Sequence, residues 1–306
     1  MTTLETITNT YLDFCQYQKR LDTKTLKAYR IDLTQFRNQI SVNSISKITP
    51  EVLETFISSL HQTYKPKTAK RKIASIKAFF HYLEYKDLIN INPMNKIQTK
   101  FREPMTLPKV IPLKTIEALL STMYYQKTLT KTKYQEKSII RDITVIELLF
   151  STGMRISELC SLKPTDVNLY ERTILIYGKG AKERKIHIGN TDVVSILQQY
   201  QQAHLSEINN CGFFFVNRLK NRLSEQSVRE MINKYTALAS IEMHITPHMF
   251  RHSFATCLLE ADVDIRYIQE MLGHSSINIT EIYTHVAMAK QKDILMTKHP
   301  RKDFLL

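Results

Sequence analysis

The chain lacks the features that would carry a protein into a membrane or out of the cell. No stretch approaches the roughly 18 apolar residues that a membrane span needs. The first residues, MTTLETITNTYLDF, have neither the basic nor the apolar zone of a secretory signal. These absences predict a soluble, cytoplasmic protein. The four cysteines, Cys15, Cys160, Cys211 and Cys257, stand far apart and never as a pair. They have no metal-ligand spacing, and a reducing compartment would leave them as thiols. Cys160 and Cys257 fall in apolar helical stretches, where core filling is the better reading. No Asp/Glu cluster suited to two magnesium ions stands out, which counts against a metal nuclease.

Positive charge, in contrast, is in excess. Lys plus Arg total 43 against 29 Asp plus Glu, a formal net charge of +14. Residues 1–100 hold 16 of the cations and 8 of the anions, and the remainder hold 27 and 21. Both parts are basic, as expected if both lie against a polyanion. Charge alone favours nucleic acid as the partner but also fits a solvated basic surface, or a ribosomal or membrane-surface binder.

At 306 residues the chain is long enough for two domains, each with its own core. Four of the nine prolines fall between 93 and 112, in INPMNKIQTKFREPMTLPKVIP. Proline removes backbone donors and disfavours helix at the preceding residue, so this segment predicts an extended linker. The expected division is residues 1–98, a linker over 99–111, and residues 112–306.

The first part reads as entirely helical. Leu26, Tyr29, Leu33 and Phe36 recur at helical spacing, as do Ile73, Ile76, Phe80 and Leu83. On the second of these helices Lys67, Lys70, Arg71 and Lys77 gather on another face, beside small Ala74, where a DNA groove could come close. The same stripe suits a solvated surface, and the pattern does not separate the two.

The second part mixes helices with one small sheet. Ile143, Ile146 and Phe150 pattern a helix that Gly153 can end, and a new helix follows with Arg155, Ile156, Leu159 and Leu162. TILIY and RKIHI are β-type runs around the turn GKGAKE, which holds Lys179 between two glycines. Ser224 caps a predicted helix carrying Val228, Met231 or Ile232, Tyr235 and Leu238. Thr246–Pro247 opens another.

That last helix begins His248-Met-Phe-Arg251, so an imidazole and a guanidinium share one face at its positively polarised end. The pair suits a phosphate but is weak evidence alone. Arg155, Lys179, His274 and Tyr283 complete a set able to transfer a phosphodiester without metal. Two arginines neutralise charge on the non-bridging oxygens. A histidine takes or shares the nucleophile's proton and a lysine protonates the departing oxygen. Tyrosine, with a pKa near 10, ionises far more readily than an aliphatic hydroxyl.

The order Arg155, Lys179, His248-x-x-Arg251, His274, Tyr283 resembles the signature of the tyrosine recombinases, and the compact Xer-like members most of all. The strings RDITVIELLFSTGMRISELCSL, GKGAKERKIHI, HITPHMFRHSFAT and QEMLGHSSINITEIYTH resemble it too, over about residues 141–295. The resemblance implies a mainly α fold with a small antiparallel β-sheet: a helical core-binding domain and an α+β catalytic domain, forming a C-shaped clamp on duplex DNA. It implies that Arg155 and Arg251 bind the scissile phosphate, that Lys179 is the general acid for the 5′-oxygen and that His248 assists proton transfer. His274 would support the phosphate, and Tyr283 would form a 3′-phosphotyrosyl link. Glu158 resembles the family acid that holds the first arginine in place. Neither ATP nor metal nor any other cofactor is implied.

The implied partners are double-stranded DNA bearing a specific recombination site and a homo-tetramer with half its sites active at once. A related second recombinase and accessory proteins are compatible with it. The chain begins directly with the core-binding part, without an extra arm-binding domain, and its tail 288–306 is a candidate for packing on a neighbouring subunit or on its own domain. The stretch around 124–139 is longer than the usual connection and reads as a mobile loop or a partner surface. The favoured role is resolution of chromosome dimers, which would join chromosome partition to cell division. The alternatives are integrase or transposase of a mobile element and, further off, a catalytically idle DNA-binding regulator or a type IB topoisomerase.

Overall fold

Apolar residues at three- and four-residue spacing dictate helix through most of the chain, and helix is what forms. The computed structural model describes residues 3–40, 42, 44–99, 101, 109–178 and 183–273. The chain divides into two compact units, Met1–Met105 and Thr106–Leu306, with the boundary in the proline-rich stretch of the sequence. Both ends of that stretch belong to packed bodies: Phe101 lies against the first core, and Ile111 is buried in the second.

The described residues of the first unit form four α-helices. Helix α1 (Leu4–Asp13) runs on into a short π-helical turn, Phe14–Gln18. Helix α2 (Thr23–Gln39) starts at Asp22, whose carboxylate accepts the Thr25 N–H at 2.9 Å. Helices α3 (Pro50–Thr63) and α4 (Pro66–Tyr85) each open on a proline, at the position where a missing N–H costs nothing. Tyr11, Leu33, Phe36, Leu53, Leu60, Phe79, Phe80 and Leu83 are buried together. One acid lies among them. Asp32 of α2 is buried and takes Lys72 Nζ at 3.0 Å, the Ser75 hydroxyl at 2.8 Å and the Arg71 guanidinium, all from α4.

The second unit opens with α5 (Leu113–Thr128) and α6 (Lys133–Thr152). The stretch 124–139 is therefore no long loop: it closes α5, turns over 129–132 and starts α6. Thr132 sets that start through a capping box, its hydroxyl accepting the Gln135 N–H while Gln135 accepts the Thr132 N–H. Gly153 ends α6 at φ +58°, and a Cβ there would stand 2.6 Å from Phe254 and 2.8 Å from Leu272, so only glycine fits.

Helix α7 (Ile156–Ser161) follows, then a three-stranded antiparallel sheet of β1 (Val167–Asn168), β2 (Thr173–Tyr177) and β3 (Glu183–His187), in that order. The register sets Ile176 opposite Arg184 and Tyr177 opposite Glu183. Strand β1 has only two residues, too few for an alternating pattern to announce it. Helices α8 (Thr191–Ala203), α9 (Leu205–Cys211), α10 (Glu225–Leu238), α11 (Pro247–Glu260) and α12 (Ile265–Leu272) follow among the described residues. In α10 Met231 and Ile232 are both buried, whereas Leu238 is exposed because the helix ends there. Leu148, Leu149, Leu159, Ile174, Ile176, Leu197, Phe214, Phe215 and Phe250 form the core.

Two hydrogen bonds attach the entry of this unit to α11. The Ile111 N–H donates to Ser253 Oγ at 2.7 Å, and that hydroxyl donates back to the Ile111 carbonyl at 3.2 Å. Across the described residues no helix is long and apolar enough to cross a membrane.

Candidate active site

Three helix termini meet where the sequence places its candidate residues: the ends of α6 and α12 and the start of α11. Arg251, on the first turns of α11, is buried. It donates to the carbonyl of Gly153 at 2.8 Å and to that of Leu272 at 2.6 Å. Both acceptors are terminal carbonyls, the negatively polarised groups that a helix leaves without an internal partner. Arg155 caps α7 two residues after Gly153, so the turn that ends α6 brings the two arginines together.

Arg155 is fastened by Glu158, whose side chain is almost wholly buried. The Arg155 N–H donates to Glu158 Oε2 at 2.8 Å and its Nη1 to Oε1 at 2.8 Å. A second guanidinium grips the same carboxylate: Arg184 of β3 donates through Nη1 to Oε1 at 3.1 Å and through Nη2 to Oε2 at 2.7 Å. Burial pushes the Glu158 carboxyl up. The hydrogen bonds from Arg184 and the Arg155 backbone, with the Arg184 charge and the Arg155 side chain, outweigh it and hold the group below the usual carboxylate range.

Arg184 also donates through Nε to the Met271 carbonyl at 2.8 Å. The carbonyls of Met271 and Leu272 are thus taken by Arg184 and Arg251 in turn, just before the chain leaves α12 at Gly273.

His248 stands on the exposed side of α11. Desolvation, then the charges of Arg251, Arg155 and Arg229, hold its imidazole below the ordinary histidine range. The shift favours the neutral ring, the form that accepts a proton. His252 lies one turn on, ring centroids 6.4 Å apart, and is lowered by burial, His248 and Arg251.

Arg155, Glu158, His248 and Arg251 are thus gathered at one place. Lys179, His274 and Tyr283 lie outside the described residues. Arg184 and Arg229 are functional candidates that sequence reasoning missed. Arg184 carried a signal, because it shares strand parity with buried Ile186 and Ile188, which makes it a cation pointing inward. Arg229 pairs with Glu225 at 3.1 Å on its own helix and is a candidate through its charge effect on His248, and nothing in the periodicity of α10 marks it.

In the first unit Lys67, Lys70 and Lys77 share the exposed face of α4 with Ala74. Arg71 reaches that face too, with its side chain 45% exposed, while its guanidinium is held by Asp32.

Comparison with known proteins identifies the family. The Phage integrase family matches residues 110–290, and the Phage integrase, N-terminal SAM-like domain matches residues 8–86. A tyrosine recombinase of Agathobacter rectalis is 62% identical over 304 residues, 99% of each chain. The tyrosine recombinase XerD of Listeria monocytogenes is 35% identical over 301 residues, covering 95% of this chain and 97% of the relative. In fold the chain resembles the XerH site-specific recombinase bound to palindromic difH substrate in a post-cleavage complex. The TM-score is 0.74 at 23% identity, over 93% of this chain and 83% of that one. The chain belongs to the tyrosine recombinases of the phage integrase family. It is an enzyme of DNA breakage and rejoining, with Xer recombinases among its homologues.

Proposed function

We propose that this recombinase acts at one specific duplex site through a 3′-phosphotyrosyl intermediate, as a Xer-like resolver of chromosome dimers assembled as a tetramer on DNA. The observation that carries the chemistry is the convergence of Arg155 and Arg251 at the turn after Gly153, with His248 on the same helix as Arg251. A phosphate there meets two guanidiniums, and charge building on its non-bridging oxygens is neutralised as the nucleophile attacks. His248 takes or shares the phenolic proton of Tyr283, and the phenolic oxygen bonds to phosphorus. The bond to the 5′-oxygen breaks as Lys179 protonates it, and His274 supports the phosphate. A 5′-hydroxyl of the partner strand then reverses these steps, so the ester conserves the energy of the broken bond.

The chromosomal role is supported by the XerD relative at 35% identity over nearly the whole chain. Integration of a mobile element is a second reading, favoured by the phage integrase match over 110–290, and uses the same chemistry on other sites. Incubation with nicked suicide substrates, followed by denaturing gels, tests the chemistry. The protein should leave a covalent DNA band, and Tyr283→Phe should bind normally and leave none. A persistent band in the variant would mean that another residue attacks. Sequencing the DNA trapped on the protein in cells separates a chromosomal site from the ends of an element.

A further inference from the structure

We propose that Arg184 is a positioning residue for strand cleavage, taking up the charge of Glu158 so that the Arg155 guanidinium stays available to the scissile phosphate. This rests on the reading of Arg155 as a phosphate ligand.

An ionised carboxylate offers about four lone-pair sites and can accept an arginine fork on two of them. In Glu158 the sites are shared out. Oε1 takes Arg155 Nη1 and Arg184 Nη1, and Oε2 takes the Arg155 backbone N–H and Arg184 Nη2. Arg155 therefore spends one guanidinium nitrogen on Glu158. Without Arg184, two sites on a buried carboxylate lose their donors, and the nearest replacement is the rest of the Arg155 guanidinium. A closed fork between Arg155 and Glu158 would then draw the donors away from the substrate.

Charge gives the same result. Glu158 cancels one cation, and Arg184 restores it from a nearly buried position. The Arg184 side chain is 9% exposed, against 34% for Arg155. One arginine is arranged to touch DNA and the other to balance the acid. Arg184 is also fixed from its far side, by the Nε bond to Met271 O. Gly273 makes the room, since a Cβ there would stand 3.0 Å from Arg184 Cδ. Arg155, through Glu158 and Arg184, is thus referenced to the same end of α12 that Arg251 holds.

The test uses the full chain, a nicked suicide substrate and single-turnover cleavage at saturating DNA, with binding measured separately by titration. Arg184→Gln is expected to bind DNA as the wild type does and to cleave about 10- to 100-fold more slowly, as when the partner of a reacting group is lost. The distinguishing measurement is Glu158→Gln/Arg184→Gln, which is expected to cleave faster than Arg184→Gln alone, because the uncompensated charge is gone. A purely structural Arg184 predicts a double variant as slow as the single one, or slower. That result, or wild-type cleavage by Arg184→Gln, overturns the proposal.

If Arg184→Gln loses DNA binding through misfolding, Arg184→Lys carries the test, since it keeps the charge and loses the fork. Cleavage within about tenfold of wild type supports charge balance, whereas a loss as large as that of Arg155→Ala, with binding intact, overturns it. Absence of any covalent band with the wild type would sink the cleavage reading itself, and the role of Arg184 with it.

Discussion

Arg251 donates to the carbonyl oxygen of Gly153 at 2.8 Å, and this bond ties the start of the helix that carries His248 to the end of α6, two residues before Arg155. The site is held by backbone at the point where charge must be placed, so its geometry depends on how three helices end.

Gly153→Ala should therefore damage both stability and cleavage. The left-handed backbone costs a non-glycine residue about 1–2 kcal/mol, and overpacking against Phe254 and Leu272 adds about 1–3 kcal/mol. Thermal unfolding should show a lowered midpoint, with cleavage slowed even below the new transition. An unshifted midpoint would mean that the end of α6 relaxes freely.

Arg155→Ala and Arg251→Ala should each slow cleavage on the order of 10²–10³-fold while weakening binding little, because on the proposed reading each contacts one phosphate among many. Their stabilities should differ. Removing Arg251 strips donors from two buried carbonyls, at about 1–3 kcal/mol for each unsatisfied group. Arg155 is far more exposed, and Arg184 remains on Glu158 when it is lost. Denaturant melts alongside single-turnover rates separate the effects, and equal stability losses would contradict the account of Arg251.

On α4, alanine at Lys67, Lys70 and Lys77 should shallow the log–log salt dependence of DNA binding by about one unit per removed cation. Arg71→Ala should do the same and also leave Asp32 with Lys72 and Ser75 alone. An unchanged slope for the fourfold variant would return this face to a solvated surface.

Lys179→Ala should be severely slow on ordinary DNA and recover most of its rate when sulfur replaces the bridging 5′-oxygen. A thiolate leaves without an acid because its pKa lies near 8–9. Arg155→Ala and Arg251→Ala should gain nothing from sulfur, since the role proposed for them lies on the non-bridging oxygens. Rescue of all three alike, or of none, would remove Lys179 from the general-acid role.

Much of this was legible in the sequence, because the determinants are local. Gly153, Ser224, Thr246–Pro247 and the β-runs around GKGAKE mark element ends by backbone chemistry that needs no partner. The extent of α6 was not legible, because its N-terminal turns are polar and the start depends on the reciprocal bonds of Thr132 and Gln135. The acid that fastens Arg155 could be named, but its second guanidinium could not. Arg184 lies 26 positions from Glu158, and only the fold brings them together. Asp32 was hidden in the same way, 40 positions from Lys72.

The paired bonds between Ile111 and Ser253 set a limit on how the protein can be cut. A fragment begun at Pro112, where the proline pattern invites a boundary, would remove both partners of a hydroxyl only 1% exposed. That hydroxyl lies two residues beyond Arg251 on the same helix, so the truncation would leave its wound beside the candidate site. An excised catalytic unit has to begin upstream of Ile111 to keep its own floor intact.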